Sequence, residues 1–123
     1  MNSPLPNDRT VTLSELKEQV GNFAAERGWL QTRTPKNLSM AIAAEAAELM
    51  EYFLWEDGDE SLKRLGDPER RSAISDEVAD VLIYVMEFAN VAQIDLTAAV
   101  ASKIKKNALR FPTGTQTRPR QHD

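Results

Sequence analysis

The sequence predicts an all-α protein, a bundle of four amphipathic helices packed on one another and on further copies of the chain. Three observations carry this. Apolar residues recur at helical spacing in four stretches. Each stretch opens on a capping signal: Thr12, Thr34-Pro35, Asp67-Pro68 and Asp95. No segment shows the period-two alternation of a half-buried strand.

Thr12 and Glu15 have capping-box spacing, so the first helix begins near Leu13 and presents Leu16, Val20, Phe23 and Ala24 on one face. Gly28 is its expected stop. The second helix is expected from Pro35 to about Trp55. The polar, glycine-containing stretch EDGDESLKRLG over residues 56–66 reads as a connection. The third helix starts at Asp67-Pro68 and is most apolar from Ala73 to Ala92. The fourth carries Leu96, Val100 and Ile104 as a stripe and ends before Pro112, which forces the preceding residue out of the helical region. The expected organisation is a flexible tail over residues 1–11, a folded domain over residues 12–112 and a disordered tail over residues 113–123.

Composition narrows the chemistry. The chain has 123 residues, 41% hydrophobic and 28% charged, with no cysteine. Its one histidine, His122, is next to last. That removes thiolate sites, Ser-His-Asp catalysis and the usual zinc ligands. The net charge of −4 argues against a nucleic-acid partner, which would call for a basic face. The charge is nonetheless uneven: acids concentrate between Glu45 and Asp80, and Lys103, Lys105, Lys106, Arg110, Arg118 and Arg120 make the C-terminal end basic. No apolar run reaches the ~20 residues of a membrane span, and no signal peptide opens the chain. A cytoplasmic protein without a membrane partner is expected.

Two helices echo each other. AIAAEAAELMEYFL over residues 41–54 and AISDEVADVLIYVM over residues 73–86 align at a constant offset of 32. Glu45/Glu77 and Tyr52/Tyr84 are identical across it, and Glu48/Asp80 are similar. Two helices with the same packing task, or a pseudo-symmetric pair, would each produce this pattern.

The position of the acids is the stronger signal. With Leu38 at 0° on a wheel of ~100° per residue, Leu49, Ile42 and Phe53 fall at about 20°, 40° and 60°. Glu45 falls at about −20°, within that apolar stripe, and Glu48 at about −80°, on its margin. On the third helix Glu77 lies in line with Phe88 and Val81, and Asp80 flanks them. Glu51, at about −140°, reads as surface charge. Acids on a solvated face would sit opposite the stripe. A carboxylate withdrawn from water must be paired or coordinate a metal. Arg70, Arg71 and Lys103 could supply pairing, so a salt-bridge network in a non-catalytic helical interaction module is one reading. A shared cation on two acid-bearing helices is the favoured one. Four oxygen donors without histidine suit Mg²⁺ or Mn²⁺ and disfavour a di-iron bundle. Mg²⁺ completed by substrate phosphates implies phosphoanhydride hydrolysis.

Glu45-x-x-Glu48, 28 intervening residues, then Glu77-x-x-Asp80 resembles the metal-binding motif of the MazG-like all-α nucleotide pyrophosphohydrolases. FAAERGW (residues 23–29), PKNL (35–38), the acidic helix ending at Trp55, DEVADVLIY (76–84), IDL (94–96) and SKIKKNALRFP (102–112) look like its dCTP pyrophosphatase branch. The resemblance implies a four-helix fold, dimers paired into tetramers, Mg²⁺ dependence, and cleavage of a (deoxy)nucleoside triphosphate to monophosphate and pyrophosphate. It also implies Glu45, Glu48, Glu77 and Asp80 as metal ligands. Trp29, Trp55 and Tyr84 would line the nucleoside pocket, and Lys103, Asn107 and Arg110 would face the phosphates. Glu45 is the candidate for orienting the attacking water. The substrate expected is dCTP or a modified dCTP, in nucleotide-pool cleansing; a broader house-cleaning pyrophosphohydrolase is the alternative. Animal members carry histidine where this chain has Val20 and Arg33. Val20 offers the base no hydrogen bond, so the group that reads the base edge has no candidate in the sequence.

Overall fold

The computed structural model describes residues 4–114. The tail expected beyond Pro112 therefore lies outside the described residues from residue 115 onward. All described secondary structure is helical: α1 (Leu13–Glu26), a 3₁₀ turn (Leu30–Thr32), α2 (Pro35–Glu51), α3 (Gly58–Arg64), α4 (Pro68–Ala92) and α5 (Leu96–Arg110).

The capping signals act as the sequence implies. Thr12 Oγ1 accepts from the Glu15 amide at 3.1 Å, and Thr34 Oγ1 from the Asn37 amide at 3.2 Å. Asp67 accepts from Glu69, and Asp95 from Ala98 at 2.8 Å. Each satisfies an amide that has no partner inside its helix. Gly28 ends α1 at φ +68, a left-handed conformation in which a side chain would be strained. That reversal puts Trp29 directly after α1 and leads through the 3₁₀ turn into α2.

Two boundaries differ from expectation. The second helix stops at Glu51 rather than near Trp55. Tyr52 and Phe53 turn to i→i−3 bonds, with Phe53 N–H donating to Met50 at 2.9 Å. The reason is tertiary: Arg70, from the first turns of α4, donates through Nη2 to the Tyr52 carbonyl and to Glu56 Oε1. No local glycine or proline marks the place. The second difference is α3, a fifth helix within the expected connection over residues 56–66. Asp57 caps it by accepting from Glu60 N–H at 2.8 Å. Asp59 and Glu60 sit in its first turn and Lys63 and Arg64 in its last, matching both ends of the helix dipole.

The chain divides into two compact units, one through Gln93 and one from Ile94. In the first, α4 is the spine, with α2 paired extensively along it and α1 packed on it. Ala24, Leu38, Ile74, Met86 and Ala89 are buried. Leu38 is the reference residue of the α2 stripe and is 1% exposed, which supports the face assignment. Gly21 allows α1 close to α4: a Cβ there would come within 3.3 Å of Asn90 Nδ2, which itself donates to the Lys17 carbonyl at 3.0 Å. Met40, Met50, Leu54, Leu62 and Val78 stay exposed on this unit. The second unit is built on α5, whose Val100 and Ile104 are more than half exposed. No single described helix is long and apolar enough to cross a membrane.

Candidate active site

Side chains one helical turn apart share a face, so each acid pair, Glu45 with Glu48 and Glu77 with Asp80, projects from one side of its helix. Pairing α2 along α4 turns the two sides together. Glu45, Glu48 and Glu77 each offer a carboxylate oxygen within 4.8 Å of the others. Asp80 lies outside that triple but near enough for its charge to act on both Glu45 and Glu77. Burial, then the Glu48 carboxylate, then Asp80 hold the carboxyls of Glu45 and Glu77 above the usual carboxylate range. Glu77 adds to the effect on Glu45, and Asp76 to that on Glu77.

Among the described residues the cluster is not a salt-bridge network. None of the four acids is in an ion pair with Arg or Lys among the described residues. Arg70, a candidate partner, is engaged by Glu56, as is Arg64. Glu45 Oε2 and Glu77 Oε2 are buried without a hydrogen-bond partner. Buried acceptors of this kind, crowded by like charge, fit a hard divalent cation. Glu45, Glu48 and Glu77 could each give such a cation one oxygen, with Asp80 beside them.

Two cavities flank the cluster. One of about 510 Å³ is lined by Glu45 and Asp80 together with Trp29, Arg33, Tyr84 and Glu87, and walled by Leu16, Val20, Phe23 and Ile83. The other, of about 360 Å³, is lined by Glu48, Glu51, Tyr52 and Glu77. The offset of 32 maps Glu45, Asp80 and Tyr84 of the first onto Glu77, Glu48 and Tyr52 of the second. The echo in the sequence is therefore an echo in space, and it places the acids on the seam between two related cavities.

Of the aromatic candidates, Trp29 and Tyr84 come together in the larger cavity, with the Phe23 ring edge-on to Trp29 at 5.8 Å. Trp55 does not line it and is 94% exposed. Lys103, Asn107 and Arg110 lie on α5, Asn107 half-buried and the others exposed. The Arg110 guanidinium sits 5.0 Å over the Phe111 ring.

Sequence reasoning missed three residues. Glu51 read as surface charge, yet it lines the smaller cavity. Glu87 is 5% exposed and Arg33 Nε donates to its Oε1 at 3.0 Å. The Arg33 guanidinium also lies 5.1 Å from the Trp29 ring and 5.7 Å from the Tyr84 ring. A signal for Glu87 existed: it is i+7 from Asp80 and i+3 from Tyr84, on the same face of α4.

Fold and site together define an all-α protein whose paired helices bring two acid motifs together beside an aromatic-lined cavity. Residues 40–118 match the MazG-like family, and the chain belongs to that family. It is 39% identical over 101 residues to dCTP pyrophosphatase 1 of Rattus norvegicus, covering 82% of this chain and 59% of that protein. Identity to dCTP pyrophosphatase 1 of Homo sapiens is also 39%, with the same coverage. The chain thus spans about three-fifths of the length of these curated relatives. Among solved structures it resembles a pyrophosphatase from Archaeoglobus fulgidus DSM 4304, with a TM-score of 0.76 and 35% identity over 91% of this chain and all of that one.

Proposed function

We propose that this chain is a Mg²⁺-dependent nucleoside triphosphate pyrophosphohydrolase that cleaves between the α- and β-phosphates of a deoxynucleotide, with dCTP or a modified dCTP preferred. The observation that carries the reading is the meeting of Glu45, Glu48 and Glu77, with Glu45 also lining the 510 Å³ cavity. The names of the relatives point to the same substrate class.

Glu45, Glu48, Glu77 and Asp80 hold the cation, Mg²⁺ or Mn²⁺. The cation supplies neutralisation of phosphate charge and activation of water. Trp29 and Tyr84 offer aromatic faces on which a base stacks. Leu16, Val20, Phe23 and Ile83 exclude water from it. Lys103 and Asn107, one turn apart on α5, and Arg110 are proposed donors to phosphate oxygens. Trp55 is proposed to meet the nucleoside only as part of an assembly of chains. Glu45 belongs to both the acid cluster and the cavity wall, and is proposed to orient the attacking water and take its proton. Water oxygen bonds to the α-phosphorus, the bond from that phosphorus to the bridging oxygen breaks, and pyrophosphate departs. The exposed apolar residues of the first unit support assembly as a dimer or tetramer.

The test is a product assay by ion-exchange chromatography across the natural dNTPs, NTPs and 5-substituted dCTPs, with Mg²⁺ and with chelator. The expected products are dNMP and pyrophosphate, only with Mg²⁺, and with cytosine nucleotides leading. Inorganic phosphate as the primary product overturns the reaction. Equal rates on all bases favour the broader house-cleaning activity instead.

A further inference from the structure

Stacking on Trp29 and Tyr84 tolerates any base, so selection needs a group at the base edge. Val20 has none to offer. Two buried polar atoms on the described cavity wall are without a partner: Glu45 Oε2, in the acid cluster, and Glu87 Oε2, away from it. Glu87 Oε1 is taken by Arg33 Nε, whereas Glu87 Oε2 is buried with no hydrogen-bond partner among the described residues. The Glu87 side chain is 6% exposed and the residue lines the same cavity as Glu45 and Asp80. Seven residues separate it from Asp80 on α4, a rise of about 10 Å along the helix. That spacing separates a base edge from the phosphate next to the sugar.

We propose that Glu87, oriented by Arg33, is the base-reading group of this cavity, its free carboxylate oxygen accepting a hydrogen bond from an exocyclic amine on the base. The proposal rests on the reading of the cavity as a nucleoside pocket. An ionised carboxylate only accepts hydrogen bonds, and the cytosine amine is a donor matched to it. Uracil and thymine present a carbonyl oxygen at that place. Two acceptors would then face each other, and the buried carboxylate would stay unpaired. Arg33 supports this in two ways. Its Nε bond fixes the rotamer of Glu87, and its guanidinium, packed near Trp29 and Tyr84, keeps a positive charge beside the carboxylate so that it can remain buried. A small cavity of about 30 Å³ borders Glu87, Arg33 and Asn90 on another side. A single water there would satisfy Oε2 and leave Glu87 a purely structural partner of Arg33. The experiment separates these two roles.

The full chain with Mg²⁺ is titrated by calorimetry with dCMP, dUMP and N4,N4-dimethyl-dCMP, which lacks the donor hydrogens. Wild type is expected to bind dCMP about tenfold or more tighter than either analogue, as an unmatched buried acceptor demands. In Glu87→Gln, whose amide can turn either donor or acceptor to the base, the three affinities are expected to fall within about threefold of one another. Equal wild-type affinities for the three ligands, or no binding of dCMP, overturn the proposal without any variant. A Glu87→Gln protein that binds all three more weakly, with their ratios unchanged, overturns it in favour of the structural role. Pyrophosphate release from dCTP is measured alongside. Discrimination without hydrolysis retains the base reader and removes the proposed reaction. Hydrolysis without discrimination does the reverse.

Discussion

Removing Arg33 should cost far more than its one ion pair suggests at first sight. Its Nε lies 3.0 Å from Glu87 Oε1, with side-chain exposures of 19% and 6%. At an effective dielectric of ~20 the two charges attract by about 5–6 kcal/mol, most of it offset by desolvation. Arg33→Met leaves Glu87 buried and unpaired, which costs about 3–5 kcal/mol. At about 4–8 °C per kcal/mol for a domain of this size, the melting temperature should fall by at least ~12 °C. Arg33→Met combined with Glu87→Met should recover most of that, because the damage lies in the orphaned charge. The exposed Glu26–Arg27 pair, 3.7 Å apart with side chains 72% and 43% exposed, is the control. Glu26→Ala should cost no more than about 1 kcal/mol. Thermal melts at fixed protein concentration read all three variants beside the wild type. A loss below ~1 kcal/mol for Arg33→Met, or a double variant no better than the single, would refute the view of this pair as buried and coupled.

Three further outcomes are expected. Glu77→Gln should abolish pyrophosphate release while raising the melting temperature of the metal-free protein, since it relieves repulsion from Glu48 and Asp80; Mg²⁺ should stabilise the wild type and not the variant. The sign with pH follows from the raised carboxyls of Glu45 and Glu77. The folded chain binds more protons than the unfolded one above the ordinary value of 4.5, so metal-free stability should fall as pH rises through that window. Denaturation with chelator across pH, repeated with Mg²⁺, checks it, and metal-free stability that climbs over the same range counts against a crowded cluster. Light scattering at micromolar concentration should give the mass of a dimer or tetramer; a 13.8 kDa monomer with full activity would rule out an obligate assembly.

How much of this was legible in the sequence depended on whether the cause was local. Thr12, Thr34, Asp67 and Asp95 cap their helices through side chains bonded two or three residues onward, so each start could be read from neighbours. Glu45 within the apolar stripe of α2 was equally visible, because the stripe and the acid share one helical period. The end of α2 was not. It is imposed by Arg70, eighteen residues past Tyr52, and no residue near Glu51 announces it. Helix α3 was obscured differently: its cap, Asp57, precedes a glycine, and the stretch lacks the apolar stripe that periodicity detects. Glu87 shared a face with Asp80, but its partner Arg33 is 54 residues away in a turn, and burial of the pair is a property of the packed cavity.

The two related cavities also suggest why the proposed nucleoside site occupies only one of them. The acids and tyrosines of α2 and α4 are arranged alike on both sides of the seam, so the helical pair by itself does not distinguish the sides. The distinction comes from the segment before α2. Leu16, Val20 and Phe23 of α1, and Trp29 and Arg33 beyond it, wall the larger of these two cavities and not the smaller. The smaller one has Glu51 in addition to its echo residues, and no aliphatic side chain among the described residues that line it. A base needs stacking faces and exclusion of water, whereas a phosphate chain needs the cation and access from solvent. The side closed by α1 meets the first requirement. The acids on the seam, which α1 does not wall on the other side, are proposed to meet the second. The left-handed turn at Gly28 is the local feature that makes the difference, since it brings Trp29 and then Arg33 back over α4 after α1 ends.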